Sequence, residues 1–246
     1  MGIETSLLVD ILREDDVVID VGAHVGEFTF AASELVSRGI VHAFEPQRRP
    51  FEMLRGSVGA FTNVSIHHAG LSDQVGRACL HIPRIRGKLS RREASLDPHF
   101  NDYTGPERQP KAGGSSAETI RLSTLDAFCG QVALDRVDLI KIDVEGHELR
   151  VLQGGRTVIE RFHPLLMIEI FPYVYEGHLQ KVCTFLAEYG YAAYVVPQGK
   201  AHAERLSIDN VTGNPGFNYI FAAHERRDRL ASILEAAIEE DHGETP

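Results

Sequence analysis

Short apolar runs alternate along the chain with stretches whose apolar residues recur at helical spacing. Val17–Val21 (VVIDV), Ile40–Phe44 and Val64–His67 read as strands, the first closed by Gly22 and the second by Glu45-Pro46. Phe28–Val36 and Phe51–Val58, lying between them, read as helices. The second half repeats the pattern with strand Val137–Ile142, helix Leu149–Ile159, strand Pro164–Ile170, helix Leu179–Tyr189, and strands Tyr191–Val196 and Asn218–Ala222. An amphipathic helix is predicted over Asp228–Glu239. Strands that are apolar throughout and separated by helices predict a mostly parallel sheet covered on both faces. Right-handed crossovers make such a sheet doubly wound.

One stretch breaks the pattern. Pro83–Ser116 has little hydrophobic periodicity, contains Pro83, Pro98, Pro106 and Pro110, and ends in Gly113-Gly114-Ser115-Ser116. It is too long for an ordinary connection and reads as an inserted loop or lid. The expected organisation is one domain over residues 1–246, with this insert at about 83–116 and a C-terminal helix at about 226–240.

Composition narrows the class. With 25 Lys+Arg against 35 Asp+Glu the formal net charge is −10, which argues against binding a nucleic-acid backbone. A hydrophobic content of 43% with 24% charged residues is that of a globular domain rather than a disordered or fibrous chain. No apolar run approaches the ~18 residues of a membrane span. Met1–Asp10 shows no cationic leader, so a cytoplasmic location is expected. Cys79, Cys129 and Cys183 are isolated and form no metal-binding or disulfide pattern.

Candidate chemistry gathers where strands end. Asp20-Val-Gly22-Ala23-His24-Val-Gly26 turns from a strand into a helix, and its glycines allow a ligand to approach the backbone. The spacing is not the G-x-G-x-x-G of dinucleotide enzymes, and a plain strand-to-helix turn explains the motif equally well. Glu45, ending the second strand, is suited to accept hydrogen bonds from the two hydroxyls of a ribose, unless it is a solvated loop residue. Lys141-Ile-Asp143-Val-Glu145-Gly146-His147-Glu148 brings four ionisable side chains to a third strand end. Helix N-terminal preference for acids accounts well for Glu145 and Glu148 and less well for Asp143. Glu169 lies inside the apolar run LLMIEIF, where a carboxylate faces a partner or a site.

The segments IDVGAHVGEFTF, AFEP, AGLSD, STLD, VDLIKIDVEGHELRVLQGG and HPLLMIEI, in that order, resemble the FkbM family of S-adenosylmethionine-dependent methyltransferases. The resemblance runs from about Val17 to Phe221, and KIDVEG-x-E…VL-x-G is its most specific part. It implies a class I methyltransferase fold, a Rossmann-like sheet of seven strands with the last antiparallel. It implies transfer of a methyl group to a hydroxyl of a sugar, glycolipid or polyketide-type natural product, a small-molecule or glycan acceptor. Asp20, Gly22, Ala23, His24 and Gly26 match the cofactor loop, and Glu45 matches the ribose-binding acid. Ser72 and Asp73 fall where the adenine would be flanked, and Asp143 also lies by the cofactor. His24 departs from the Asn of many members.

An alkyl hydroxyl is a weak nucleophile, so its proton should be taken as the new bond forms. Asp143, His147 and Glu169 are the candidate catalytic residues, His147 having the most suitable ordinary pKa. A cap histidine exposed to solvent is the competing account of His147. Oxygen ligands for a divalent ion are a second possibility for this cluster, but no metal is assigned. Ser123-Thr124-Leu125-Asp126 is expected to cap a helix, and His67-His68 to pack. Arg226, Arg227 and Arg229 are expected on a solvated helix face. Arg84, Arg86, Lys88, Arg91 and Arg92 form either a solvated loop or a clamp for an anionic or polyhydroxylated acceptor, with Phe100 and Tyr103 available to stack. Two other functions compete with O-methyl transfer. A nicotinamide-dependent oxidoreductase is disfavoured by the glycine spacing and the KIDVEG block. A non-catalytic S-adenosylmethionine-binding module is disfavoured by the carboxylate–histidine cluster.

Overall fold

The computed structural model describes residues 3–85, 88–90, 93–97, 115–171, 177–195, 204–205 and 218–231. In chain order the elements begin α1 (Ile3–Ile11), β1 (Val17–Val21), α2 (Glu27–Leu35), β2 (Ile40–Phe44), α3 (Arg48–Val58) and β3 (Val64–His67). They continue with β4 (Gly70–Leu71), β5 (Gly76–Ile85), β6 (Lys88–Leu89), β7 (Ser115–Ser123), α4 (Leu125–Gln131) and β8 (Leu139–Ile142). The rest are α5 (Glu148–Gln153), α6 (Arg156–Phe162), β9 (Leu165–Glu169), α7 (His178–Ala187), β10 (Tyr191–Val195), β11 (Glu204–Arg205) and β12 (Asn218–Ala223). A 3₁₀ turn follows over His224–Leu230.

The main sheet runs β11-β10-β12-β9-β8-β1-β2-β3. From β3 to β9 every pairing is parallel, and β12 enters antiparallel to both β9 and β10. This is the expected seven-stranded sheet, with the two-residue β11 added at one edge. Its apolar runs split by parity. Ile19, Val21, Ile140, Ile142, Leu166 and Ile168 join the cluster that includes Leu125, Leu152, Ile159 and Leu186 from α4–α7. Val18, Leu139, Leu165 and Met167 face the other way, with Leu8 of α1 and Phe28 and Ala32 of α2. Burial on both faces is why these strands read as continuous hydrophobic runs.

Three expectations need correction. The single helix over Leu149–Ile159 is two, α5 and α6, broken at Gly154-Gly155. A Cβ on Gly154 would lie 2.0 Å from the Ser72 carbonyl oxygen, so this close approach fixes where the break falls. The stretch from Pro83 is not irregular throughout, because β5 and β7 pair antiparallel in a second sheet, β4-β7-β5-β6. Leu80, Ile82, Ala94, Ile120 and Leu122 form its own small core. Residues 98–114, with Phe100 and Tyr103, lie outside the described residues, as do Arg86, Arg91, Arg92 and residues 232–246, which include most of the expected terminal helix.

The third correction concerns the C-terminal arginines. Arg229 is not on a solvated face. It is buried, donating to Asp16 at 2.6 and 3.0 Å and to Asp138 at 3.5 Å. Arg226 also reaches Asp138, at 3.3 Å, and Arg136 pairs with Asp138, Asp15 and Asp16. Asp16 and Asp138 precede β1 and β8, so this network closes the N-terminal ends of the central strands. It lies opposite the edge where ligands bind in such sheets.

The expected helix cap is present one residue later than the S-x-x-D pattern suggests. Thr124 Oγ1 accepts from the Ala127 N–H of α4, while the Asp126 carboxylate accepts from Thr157 and Val158 and caps α6. His67 and His68 pack, stacked on Phe44 and Phe51. No helix among the described residues is long and apolar enough to cross a membrane.

Candidate active site

The turn after β1 is built from left-handed residues, with φ of 85° at Gly22, 50° at His24 and 94° at Gly26. A Cβ on Gly22 would stand 1.9 Å from the Asp143 carbonyl oxygen, so the turns after β1 and β8 touch backbone to backbone. Gly22 and Ala23 both donate to the Phe44 carbonyl, which ties the first turn to β2. His24 holds a left-handed conformation, in which Asn, Asp and His are the commonest residues other than Gly.

Asp20 lies fully buried beneath this turn. Its Oδ2 accepts from Thr29 Oγ1 of α2 at 2.6 Å, and Lys141 Nζ stands 3.9 Å from Oδ1. Oδ1 accepts no hydrogen bond from the protein. Burial raises its pKa, against the pull of Lys141 and Thr29. Asp20 therefore supports the loop from within.

Glu45 is also buried. Oε2 accepts from the His24 N–H at 2.9 Å and Oε1 from the Gln47 N–H at 2.7 Å, so one carboxylate clamps the turns after β1 and β2 together. Burial pushes its pKa up to about 7, the two N–H donors and the nearby Asp20 and Asp143 charges acting in opposite senses. Each oxygen keeps a second lone pair for a ligand hydroxyl.

The turn after β8 carries φ of 52° at Glu145 and 92° at Gly146. Asp143 accepts from Lys141 Nζ at 3.0 Å. Glu145 has its pKa pushed up to about 9 by burial first and then by Asp143, Glu169, Glu148 and Glu93. Glu169 ends β9 and thus joins the same electrostatic cluster. Glu148 is buried, accepting from the Gly146 N–H at 2.8 Å and meeting His178 Nε2 at 2.7 Å. His178 is the site residue that sequence reasoning missed: it opens α7, thirty residues along, and no spacing links it to Glu148.

His147 precedes α5 and is half-buried. Its Nε2 lies 2.9 Å from Ser72 Oγ, which donates to Asp73 Oδ1 at 2.9 Å. Asp73 accepts in turn from Arg150 at 2.8 Å. Burial, then the Arg150 charge, lowers the His147 pKa, so the ring is neutral near pH 7. The second sheet reaches the same turn, Ser95 Oγ donating to the Glu145 carbonyl at 2.7 Å.

All the residues expected at the site therefore stand at one end of the sheet. The C-terminal ends of β1 and β9 and the turns after β1, β2, β4 and β8 supply them. Among the described residues, no group of three or more His, Cys, Asp or Glu side chains is placed to hold a metal ion.

Comparison with known proteins adds to this geometry. The Methyltransferase FkbM domain matches residues 20–193. The chain is similar to 2-O-methyltransferase NoeI of Sinorhizobium fredii, 26% identical over 175 residues and 68% of each chain. It is 27% identical over 165 residues to hexuronic acid methyltransferase AglP of Haloferax volcanii, covering 67% of this chain and 59% of that one. To 31-O-demethyl-FK506 methyltransferase FkbM of Streptomyces tacrolimicus it is 34% identical over 161 residues, 58% of this chain and 60% of that one. The matches thus span about three fifths to two thirds of these relatives. The crystal structure of methyltransferase FkbM from Methylobacillus flagellatus shares the fold, with a TM-score of 0.54, 16% identity, and coverage of 86% of this chain and 44% of that one.

Proposed function

The chain belongs to the FkbM methyltransferase family, and we propose that it transfers the methyl group of S-adenosylmethionine to a hydroxyl of a sugar, glycolipid or polyketide-type natural product. The observation that carries this reading is the meeting, at one sheet end, of a left-handed glycine turn, a buried Glu45 and an acid–histidine turn. The names of the relatives that act on hexuronic acid and on FK506 support the acceptor class.

The residues fit the cofactor. Gly22, Ala23, His24 and Gly26 would cradle its methionine part, with the buried Asp20 supporting them from beneath. Glu45 would bind the ribose, and Asp143 would lie beside the cofactor. When bound, the cofactor would supply an electrophilic methyl carbon on a sulfonium, with a neutral thioether as the leaving group for the attacking acceptor oxygen. The carboxylates around the site favour this cationic group.

His147 takes the hydroxyl proton as the carbon–oxygen bond forms. It suits the task better than Asp143 or Glu169, because a neutral imidazole accepts a proton near pH 7 more readily than a carboxylate does. Asp143, fixed by Lys141, and Glu169 orient the acceptor hydroxyl. The second sheet, reaching the Glu145 carbonyl through Ser95, forms an acceptor platform inserted into a single methyltransferase domain.

The test is incubation with S-adenosylmethionine and a panel of methyl hexosides, 6-deoxyhexosides, hexuronates and macrolides, scored by mass for methyl gain. His147→Ala should lower kcat by about 10²–10⁴ with cofactor affinity nearly unchanged. Binding of a nicotinamide dinucleotide without binding of S-adenosylmethionine would overturn the proposal.

A further inference from the structure

We propose that Ser72 and Asp73 act on the reaction through His147, as positioning residues that hold its imidazole with the proton on Nε2 and keep Nδ1 as the base. This rests on the assignment of His147 as the proton acceptor.

The direction of the hydrogen-bond chain follows from counting protons. Ser72 Oγ carries one hydrogen and stands 2.9 Å from both Asp73 Oδ1 and His147 Nε2. An ionised carboxylate only accepts. If the hydroxyl hydrogen pointed to the ring, Ser72 Oγ and Asp73 Oδ1 would oppose lone pairs at 2.9 Å. The hydrogen therefore belongs to Asp73, and Ser72 Oγ must accept from Nε2–H. Nδ1, which has no hydrogen-bond partner among the described residues, is then the unprotonated nitrogen.

Asp73 is held ionised. Burial alone would raise its pKa, but the Ser72 hydroxyl and the Arg150 guanidinium outweigh that and bring it below the ordinary carboxylate value. Ser72 in turn has little freedom to move. It is buried, its N–H donates to the Ser123 carbonyl at 2.9 Å, and the Cα of Gly154 is packed against its carbonyl. The Ser72 hydroxyl is thus used up inside the protein, which departs from the expectation that this side chain flanks adenine. When Nδ1 takes the acceptor's proton, the imidazolium charge is met through Nε2–H and Ser72 by the Asp73 carboxylate. Orienting a base by a carboxylate through its distal ring nitrogen is a general device.

The test is nitrogen NMR of the protein labelled with ¹⁵N-histidine, with the His147 signals assigned by their loss in His147→Ala. The wild type should show the Nε2–H tautomer at a pH where the ring is neutral. Asp73→Asn is isosteric and reverses the chain. Arg150 draws the amide oxygen to itself, the amide NH₂ then faces Ser72 Oγ, and the hydroxyl turns its hydrogen to Nε2. His147 should switch to the Nδ1–H tautomer, while calorimetry finds the dissociation constant for S-adenosylmethionine within about 2-fold of wild type. An Nδ1–H tautomer in the wild type, or an unchanged tautomer in Asp73→Asn, overturns the proposal. So does a loss of cofactor affinity of about 10-fold or more with the tautomer unmoved, since that marks Asp73 as an adenine ligand. If instead the tautomer switches as described but His147→Ala methylates the panel as fast as wild type, the assignment of the base is what fails.

Discussion

Glu45→Gln tests the energetics of the site without any ligand. In the folded protein the Glu45 pKa rises from 4.5 to about 7, chiefly because the carboxylate is buried. The folded state therefore holds a proton that the unfolded state has already lost throughout that interval. Stability contributed by this group is complete below about pH 4.5 and is lost as pH rises through about 7. At about 1.4 kcal/mol per unit, the loss is about 3 kcal/mol. Gln cannot ionise, so it removes this pH dependence. Its NH₂ also cannot accept from both His24 and Gln47, so one backbone N–H loses its partner, at a cost of about 1–3 kcal/mol. The variant should be the less stable protein near pH 4 and should draw level with or overtake wild type by about pH 8. Urea denaturation followed by circular dichroism at several pH values measures both. Subtracting the two profiles cancels the other titrating groups, Glu145 among them. A difference between variant and wild type that stays constant from pH 4 to 8 would refute the assignment of a buried, proton-holding Glu45.

Two further outcomes follow from the same physics. Binding of cationic S-adenosylmethionine near pH 7 should release protons from Glu45 and Glu145, whose pKa values stand at about 7 and about 9; calorimetry in buffers of different ionisation enthalpy should show it, and buffer-independent heats would count against it. Arg229→Ala should destabilise the protein by about 3 kcal/mol, because it leaves the Asp16 carboxylate buried with only partial compensation from Arg136; a melting temperature equal to wild type would show that the network contributes nothing.

The main sheet was legible because its strands are buried on both faces and punctuated by Gly22 and Glu45-Pro46. The second sheet was not. Its inward positions alternate, Ala78, Leu80 and Ile82 on one strand and Ile120 and Leu122 on the other, but the partners are separated by the long insert, so neither half presents a sustained pattern. The strand-end acids and His147 were visible as motifs, and the structure gathers them at one edge. What the motifs could not convey was pairing at a distance. Glu148 finds His178, and Arg229 finds Asp16 at a separation of 213 residues, so charges that looked like solvated helix faces are interior partners. Ser72 stood out only as part of a motif, and its hydrogen bond to His147 depends on the glycine break after α5, which reads as helix in the sequence.

β12 lies between β9 and β10, although it follows both in the chain. During synthesis, β9 and β10 can therefore emerge with two strand edges facing an empty slot, each a row of unpaired backbone donors and acceptors. Sheet closure must wait for Asn218–Ala223, and only then does the following turn bring Arg229 onto Asp16 beside the first strand. The nascent chain thus passes through an adhesive interval, exposed to edge-to-edge association with its neighbours on a polysome. A late strand and a late arginine end that interval together, making completion of this sheet a single concerted event.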